Sequence, residues 1–369
     1  MTRVLILDAD YNNLAGPIAG IFDCFAPDLE NKKVLVKPNM LSARRPDEHV
    51  TTHPCLVKAV TRELIGRHAR VTVGDNHSTE GTTLNEEVAR VTEIADAALG
   101  RFRNISKSAR IVKGFSRLID QVVVSSEVLD CQYLINLPKF KTHVLTAISG
   151  AMKNMYGIVP GTVKSRLHFR CARPKDFAQI VVDLYRIRPP DLTIMDAIVG
   201  MEGLGPGNGK LRPIGKLIAS NNGAAVDVVM ARMMGVKPET IEHLKLAIDQ
   251  GLVRPDRIEI EGEVKTLKHF EMPPTFIRGS ILRSIFAAGI YLYGKVIHGY
   301  EVGRFPSMDM SRCKRCDSCI NICPADAMCR GVDGYPQIDY TKCMLCYCCI
   351  EVCPHNAIGT RPRMLRRRT

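Results

Sequence analysis

Residues 313–328 read CKRCDSCINICPADAM, and residues 343–358 read CMLCYCCIEVCPHNAI. The two are an internal repeat thirty residues apart, each of the form C-x2-C-x2-C-x3-C-P. In chains with this double run, three cysteines of one run hold one iron–sulfur cluster and the fourth reaches across to the other. The spacing therefore predicts two crossed ligand sets. Cys313, Cys316, Cys319 and Cys353 would hold one [4Fe-4S] cluster, and Cys343, Cys346, Cys349 and Cys323 a second. Closely spaced thiolates on a tight loop reach three corners of one cube while backbone N–H groups bond the sulfurs, and the proline ends the turn. Zinc also takes four cysteines, but from paired C-x2-C hooks that have no use for a third cysteine and a following C-P. Cys348 and Cys329 fall outside the spacing and read as small buried residues, as do the scattered Cys24, Cys55, Cys131 and Cys171.

Working outward, the cysteine runs predict a small α+β two-cluster ferredoxin domain over 307–369, ending in a basic tail of Arg361, Arg363, Arg366, Arg367 and Arg368. Before it, residues 273–306 carry Pro273, Pro274, an amphipathic helical pattern and Pro306, which reads as a connecting helix with fixed ends. Its most apolar stretch, Phe276 to His298, is broken by Arg278, Arg283 and Lys295. The remaining apolar run is roughly ten residues where a membrane span needs roughly twenty. No transmembrane span is expected, and packing on a neighbouring domain is favoured over a membrane surface.

Residues 1–272 alternate short β-branched runs with helical patterns, which predicts an α/β domain with a largely parallel sheet. Val4 to Leu7, Val34 to Val36, Val71 to Val73, Gln121 to Val124, Tyr133 to Asn136, Leu192 to Met195 and Leu217 to Ala219 read as strands. Pro54 to Gly66, Glu86 to Ala98, Lys175 to Ile187 and Ala224 to Met234 read as helices. The polar loops Lys37 to Asn39 and Gly74 to Ser78 follow strands directly, and open α/β sheets bind ligands at such carboxyl ends.

Composition sets limits. The 369 residues suffice for two or three domains, and 46% hydrophobic with 24% charged residues excludes a disordered or fibrous chain. The net charge of +13 admits anionic partners of several kinds. With 6% aromatic residues and no tryptophan there is no basic and aromatic interleaving for base stacking, which argues against nucleic acid. The start MTRVLILDAD reads as a strand rather than a secretory leader, and the cysteines suit a reducing compartment, so a cytoplasmic protein is expected.

The segment NLPKFKTHVLTAISGAMKNMYGIVPGTVKSRLHF, residues 136–169, holds Lys139, Lys141, His143, Lys153, Lys164, Arg166 and His168 without one acid. An extended backbone puts Lys139 and Lys141 on one side, and Lys153 and Asn154 fall on a helix predicted to start near Thr146. With Lys37 and Asn39, these residues are read as one anion site in which Lys139, Lys141 and Lys153 converge, with a solvated basic face as the alternative. Asp75, Asn76 and Glu202 are further polar groups at strand ends. The glycine-rich loop Gly203 to Gly209 lacks both the Walker order and the dinucleotide fingerprint, so a nucleotide is not indicated, and a surface turn competes with an anion loop there.

Five segments together, KPN at 37–39, TTHP at 51–54, NLPKFKTH at 136–143, GAMKNMYG at 150–157 and IMDAIVGMEGLGPGNG at 194–209, resemble the family called domain of unknown function 362. The resemblance spans most of residues 1–235. It implies fusion to a two-cluster ferredoxin and iron–sulfur chemistry, and it carries over no catalytic residue. The expectation is an electron-transfer protein, read first as a reductase passing electrons to an anionic small molecule, with His143 as proton donor because imidazole titrates near neutrality. The alternatives are a non-enzymatic relay or a cluster-carrying accessory factor, either one docking on a partner redox protein. An electron donor or acceptor protein is expected as partner in each case.

Overall fold

Apolar residues that alternate along the strands settle on the two faces of one sheet, as a period of two requires when both faces are covered. The computed structural model describes residues 1–26, 28–77, 85–171, 173–276 and 300–366. In chain order the first elements are β1 (Thr2–Asp8), α1 (Ala15–Phe25), β2 (Lys33–Pro38), α2 (Pro54–Gly66), β3 (Arg70–Val73), α3 (Asn85–Val91) and α4 (Ile94–Ala97). There follow β4 (Ala109–Lys113), β5 (Gln121–Ser125), α5 (Ser126–Asp130), β6 (Tyr133–Leu137), β7 (Lys139–His143), β8 (Ala147–Ile148), α6 (Gly150–Asn154), α7 (Gly161–Arg170) and α8 (Pro174–Ile187). The α/β part closes with β9 (Leu192–Glu202), β10 (Lys210–Ser220), α9 (Gly223–Met233), α10 (Glu242–Asp249) and β11 (Ile258–Glu261).

The main sheet runs β11-β1-β10-β9-β6-β2-β3, and β7 with β8 continues it beside β9. It is largely parallel: the β1–β11, β2–β3, β2–β6, β6–β9 and β7–β9 pairs are parallel, and β10 runs against both its neighbours. Leu5, Val34, Val36 and Leu217 pack with α1 and α2 on one face, while Val4, Ile6, Leu35 and Ile218 pack with α8 and α9 on the other. On α8, Phe177, Ile180, Val181 and Leu184 recur at helical spacing and are buried, which is why its pattern was readable.

Three local expectations are corrected. Gln121 to Val124 is a strand, but it pairs with β4 in a separate ribbon. The helix expected over Glu86 to Ala98 breaks at Glu93, whose φ of 58° cannot continue a right-handed helix. The helix expected from Thr146 begins at Gly150, after β8 has turned back on β7.

The C-terminal part comprises β12 (Tyr300–Met308), α11 (Ser318–Asn321), β13 (Met328–Arg330), β14 (Pro336–Ile338), α12 (Cys348–Val352) and β15 (Ile358–Arg366). Residues 277–299 of the expected connecting helix lie outside the described residues, and Tyr300 to Pro306 are strand, paired antiparallel with β15. Arg361 and Arg363 are therefore exposed residues of a strand and not of a free tail, and the Arg363 guanidinium lies 4.2 Å over the Tyr340 ring. Arg367 and Arg368 fall outside the described residues. Among the described residues no helix is long and apolar enough to cross a membrane.

Candidate functional site

The cysteine repeat is also a repeat of backbone shape. Arg315, Asp317 and Asp326 have positive φ, and so do Leu345, Tyr347 and Asn356 at the matching positions. These left-handed residues turn the loops around their sulfurs. The Ala327 N–H donates to Cys323 Sγ at 3.2 Å and the Ala357 N–H to Cys353 Sγ at 3.3 Å, again at matching positions. One cavity is lined by Cys313, Cys316, Cys319 and Cys353 and a second by Cys323, Cys343, Cys346 and Cys349, the crossed sets that the spacing predicts. Among the described residues no three His, Cys, Asp or Glu side chains are placed to hold a single metal ion. Burial and the neighbouring sulfurs of Cys353, Cys316 and Cys313 push the Cys319 thiol up to about 11. Sulfurs held this closely fit a cationic iron core that neutralises their thiolates.

A polar pocket opens at the carboxyl ends of the parallel strands. Asn39 follows β2, Asp75, Asn76 and His77 follow β3, and His143 ends β7. Lys153 and Asn154 come from α6, Tyr156 and Gly157 from the turn after it, and Lys164 and His168 from α7. Cys348 and Glu351, both on α12, complete the wall. Arg44 donates to the Cys353 carbonyl at 3.0 Å, and the Asn208 amide to the Ile350 carbonyl at 2.7 Å, which fixes α12 over the pocket.

The profile of the domain of unknown function DUF362 matches residues 34–232, more than half of the chain and every α/β residue named in the pocket. The chain belongs to the DUF362 family. A 4Fe-4S binding domain matches residues 336–359, which makes this DUF362 member an iron–sulfur electron-transfer protein. A thylakoid-associated protein of Synechocystis sp. is 30% identical over 237 residues, covering 63% of this chain and 71% of that protein. Among solved structures, the lactate racemase apoprotein from Thermoanaerobacterium thermosaccharolyticum is similar with a TM-score of 0.41 and 11% identity over 62% of this chain. The chain spans 56% of that structure's length.

Within the DUF362 unit the lysines do not all converge on the pocket. Lys139 is sealed in an ion pair with Asp196, Nζ to Oδ2 at 2.8 Å, and also donates to the Tyr11 hydroxyl at 2.9 Å. Lys37 pairs with Asp75 at 2.8 Å beneath the pocket floor. Lys141 donates to Asn39 Oδ1 at 2.8 Å and the Val50 carbonyl at 2.7 Å, and it does not line the cavity. The expectation that Lys139, Lys141 and Lys153 meet in one cavity is thus corrected, because acids far along the chain neutralise the first of them and Lys141 is spent on uncharged acceptors. Lys153 lines the pocket with no ion pair among the described residues, its ammonium 4.6 Å over the Tyr156 ring. Lys164, the second ammonium in the pocket, donates to the carbonyls of Asn76 and His77 at 2.5 Å. Burial lowers Lys141 and Lys164 to about 7.

The start of α6 is not free for a ligand either. Asp227 accepts from the N–H groups of Ala151 at 2.5 Å and Met152 at 2.9 Å. Asn39, Asn154 and Asn136 form a hydrogen-bonded chain below Lys153, with Asn39 donating to Asn154 at 2.9 Å and Asn154 to Asn136 at 2.8 Å. The glycine-rich loop is a docking contact, since Asn208 reaches α12 and Gly205 packs against the Thr142 backbone. Glu202 lies away from the pocket, accepting from the Glu271 N–H at 3.3 Å.

His143 is corrected as a titrating proton donor. Burial, with Lys153 and His168 nearby, pushes it well below the usual imidazole range, so it is neutral at physiological pH. Its Nδ1 accepts from the Leu145 N–H at 3.1 Å, which puts the ring proton on Nε2, 3.3 Å from Glu351 Oε1. Reading by sequence missed Glu351 and Cys348 as pocket residues. Cys348 was visible only as one of two cysteines, with Cys329, that fall outside the ligand spacing, and nothing marked Glu351.

Proposed function

We propose that this protein is a ferredoxin-fused reductase in which electrons pass through two [4Fe-4S] clusters to an anionic small molecule in the polar pocket. The observation that carries this reading is Cys348, a buried residue that lines both the pocket and the cavity of Cys323, Cys343, Cys346 and Cys349. One side chain thus separates the inner ligand set from the space where an acceptor would lie. Two [4Fe-4S] clusters, when bound, supply two single electrons, the number that a closed-shell substrate takes up with two protons. Cys313, Cys316, Cys319 and Cys353 would hold the outer cluster, and Cys316 is exposed, which suits electron entry from a donor protein on that side.

The chain's own residues bind and orient. Lys153 attracts the anion, the neutral Nε2–H of His143 donates a hydrogen bond, and α12 excludes water by closing the wall. In this reading residues 1–272 form the acceptor-binding unit, and the electron-carrying unit starts at β12 in place of residue 307. None of the fourteen cysteines is in a disulfide, which fits a reducing cytoplasm.

The test is anaerobic. Protein reduced with dithionite is mixed with small carboxylates and oxyanions, and the return of cluster absorption is followed. Reoxidation by a small anion, slowed in Lys153→Met while ferricyanide reoxidises both proteins equally, supports the reductase. Clusters that stay reduced with every anion but discharge to a redox protein would transfer the case to a relay.

A further inference from the structure

Resting on the reading of the pocket as the acceptor site, the geometry points to a narrower ligand class: a small monocarboxylate with a short chain, held between Lys153 and the Nε2–H of His143. The free space at the centre of the pocket is about 60 Å³. At roughly 10–15 Å³ for each water-sized occupant, that enclosed part holds about four to six waters, room for a carboxylate with a short chain.

The charges choose the anion. Lys153 and Lys164 line the pocket together with the carboxylates of Asp75 and Glu351, and Asp75 is already committed to Lys37. Lys164 is spent on two backbone carbonyls, which leaves Lys153 as the one lining ammonium without a hydrogen-bonded or ion-paired partner among the described residues. A single uncommitted ammonium suits one negative charge. A phosphate dianion would bring a second charge that the single ammonium leaves unmatched, and an unmatched charge in a desolvated pocket opposes binding. His143 adds direction: its Nε2 and Glu351 Oε1 are buried polar atoms without a well-formed hydrogen bond, so a ligand oxygen near Nε2 would give the ring proton an acceptor. The burial that lowers Lys153 supports the same view, because a bound carboxylate restores its charged form.

The experiment is calorimetric titration of the oxidised, cluster-loaded protein with acetate, glycolate, benzoate, inorganic phosphate and glucose 6-phosphate. Acetate and glycolate are expected to bind, benzoate and glucose 6-phosphate to bind at least tenfold more weakly, and phosphate more weakly than acetate. Lys153→Met should weaken acetate at least tenfold. The size series uses the unaltered protein, so it stands even if the variant fails to fold. Tighter binding of benzoate, phosphate or glucose 6-phosphate, or unchanged acetate binding in a folded Lys153→Met protein, overturns the proposal. Because binding is read without turnover, acids that bind yet never reoxidise the clusters sustain this ligand class and sink the reductase reading. Reoxidation by a larger anion in the absence of carboxylate binding does the reverse.

Discussion

Lys139 and Lys153 carry the same charge under opposite conditions. Lys139 is wholly buried against Asp196, so Lys139→Met would strand a carboxylate in the interior and should cost about 3–5 kcal/mol, read as a lowered urea midpoint. Lys153 has no ion pair among the described residues, and Lys153→Met should change stability by less than about 1 kcal/mol. Equal losses in the two variants would show that Lys153 is held as tightly as Lys139. Lys164 makes a prediction about pH. Its folded form loses its proton near 7, while the unfolded lysine keeps it to about 10.5, so between those values the unfolded state binds more protons. Stability should therefore rise with pH across that window, and Lys164→Met should flatten the rise. A slope identical in wild type and variant would refute the assignment. Among the cysteines, Cys346→Ser should lower bound iron, whereas Cys348→Ser should leave it nearly unchanged, as measured by iron and sulfide analysis.

At the scale of elements, α6 and α12 decide whether a pocket exists at all. The five residues of α6 cannot hold a helix alone, and Asp227 on α9 bonds two of its N–H groups. Asp227→Ala should cost about 1.5–3 kcal/mol for each bond lost and, because Lys153 rides on α6, weaken anion binding as well. Calorimetry beside urea unfolding checks both. Gly157 has a similar role in the turn after α6: a Cβ there would come 2.2 Å from Asp75 Oδ1, inside the Lys37 pair. On the other side, Arg44→Ala should raise hydrogen exchange over residues 348–353 while iron content stays constant. Unchanged exchange would mean that Asn208 and Glu351 suffice to seat α12.

For the whole molecule, a cluster in each of the two crossed cavities would give about eight iron and eight sulfide per chain after anaerobic reconstitution, and stoichiometric zinc without visible absorption would contradict that. Their arrangement gives the molecule a direction, with exposed Cys316 at one end and buried Cys348 against the pocket at the other. The crossed grouping of the cysteines was legible in the chain because three of each set come from one short loop, so it is written in local spacing. Helices α2, α8 and α9 were legible for the same reason, their periodicity being local. The lysine site was legible only as a collection of residue types. Asp196 lies 57 positions from the lysine it neutralises, and Glu351 reaches His143 from another unit of the fold. Composition along the chain determined that this protein binds iron and sulfur beside a cation-rich α/β unit. Tertiary structure alone decided which cation is left free, because Coulomb energy in a buried site depends on distance in space and on desolvation, and neither is encoded in sequence separation.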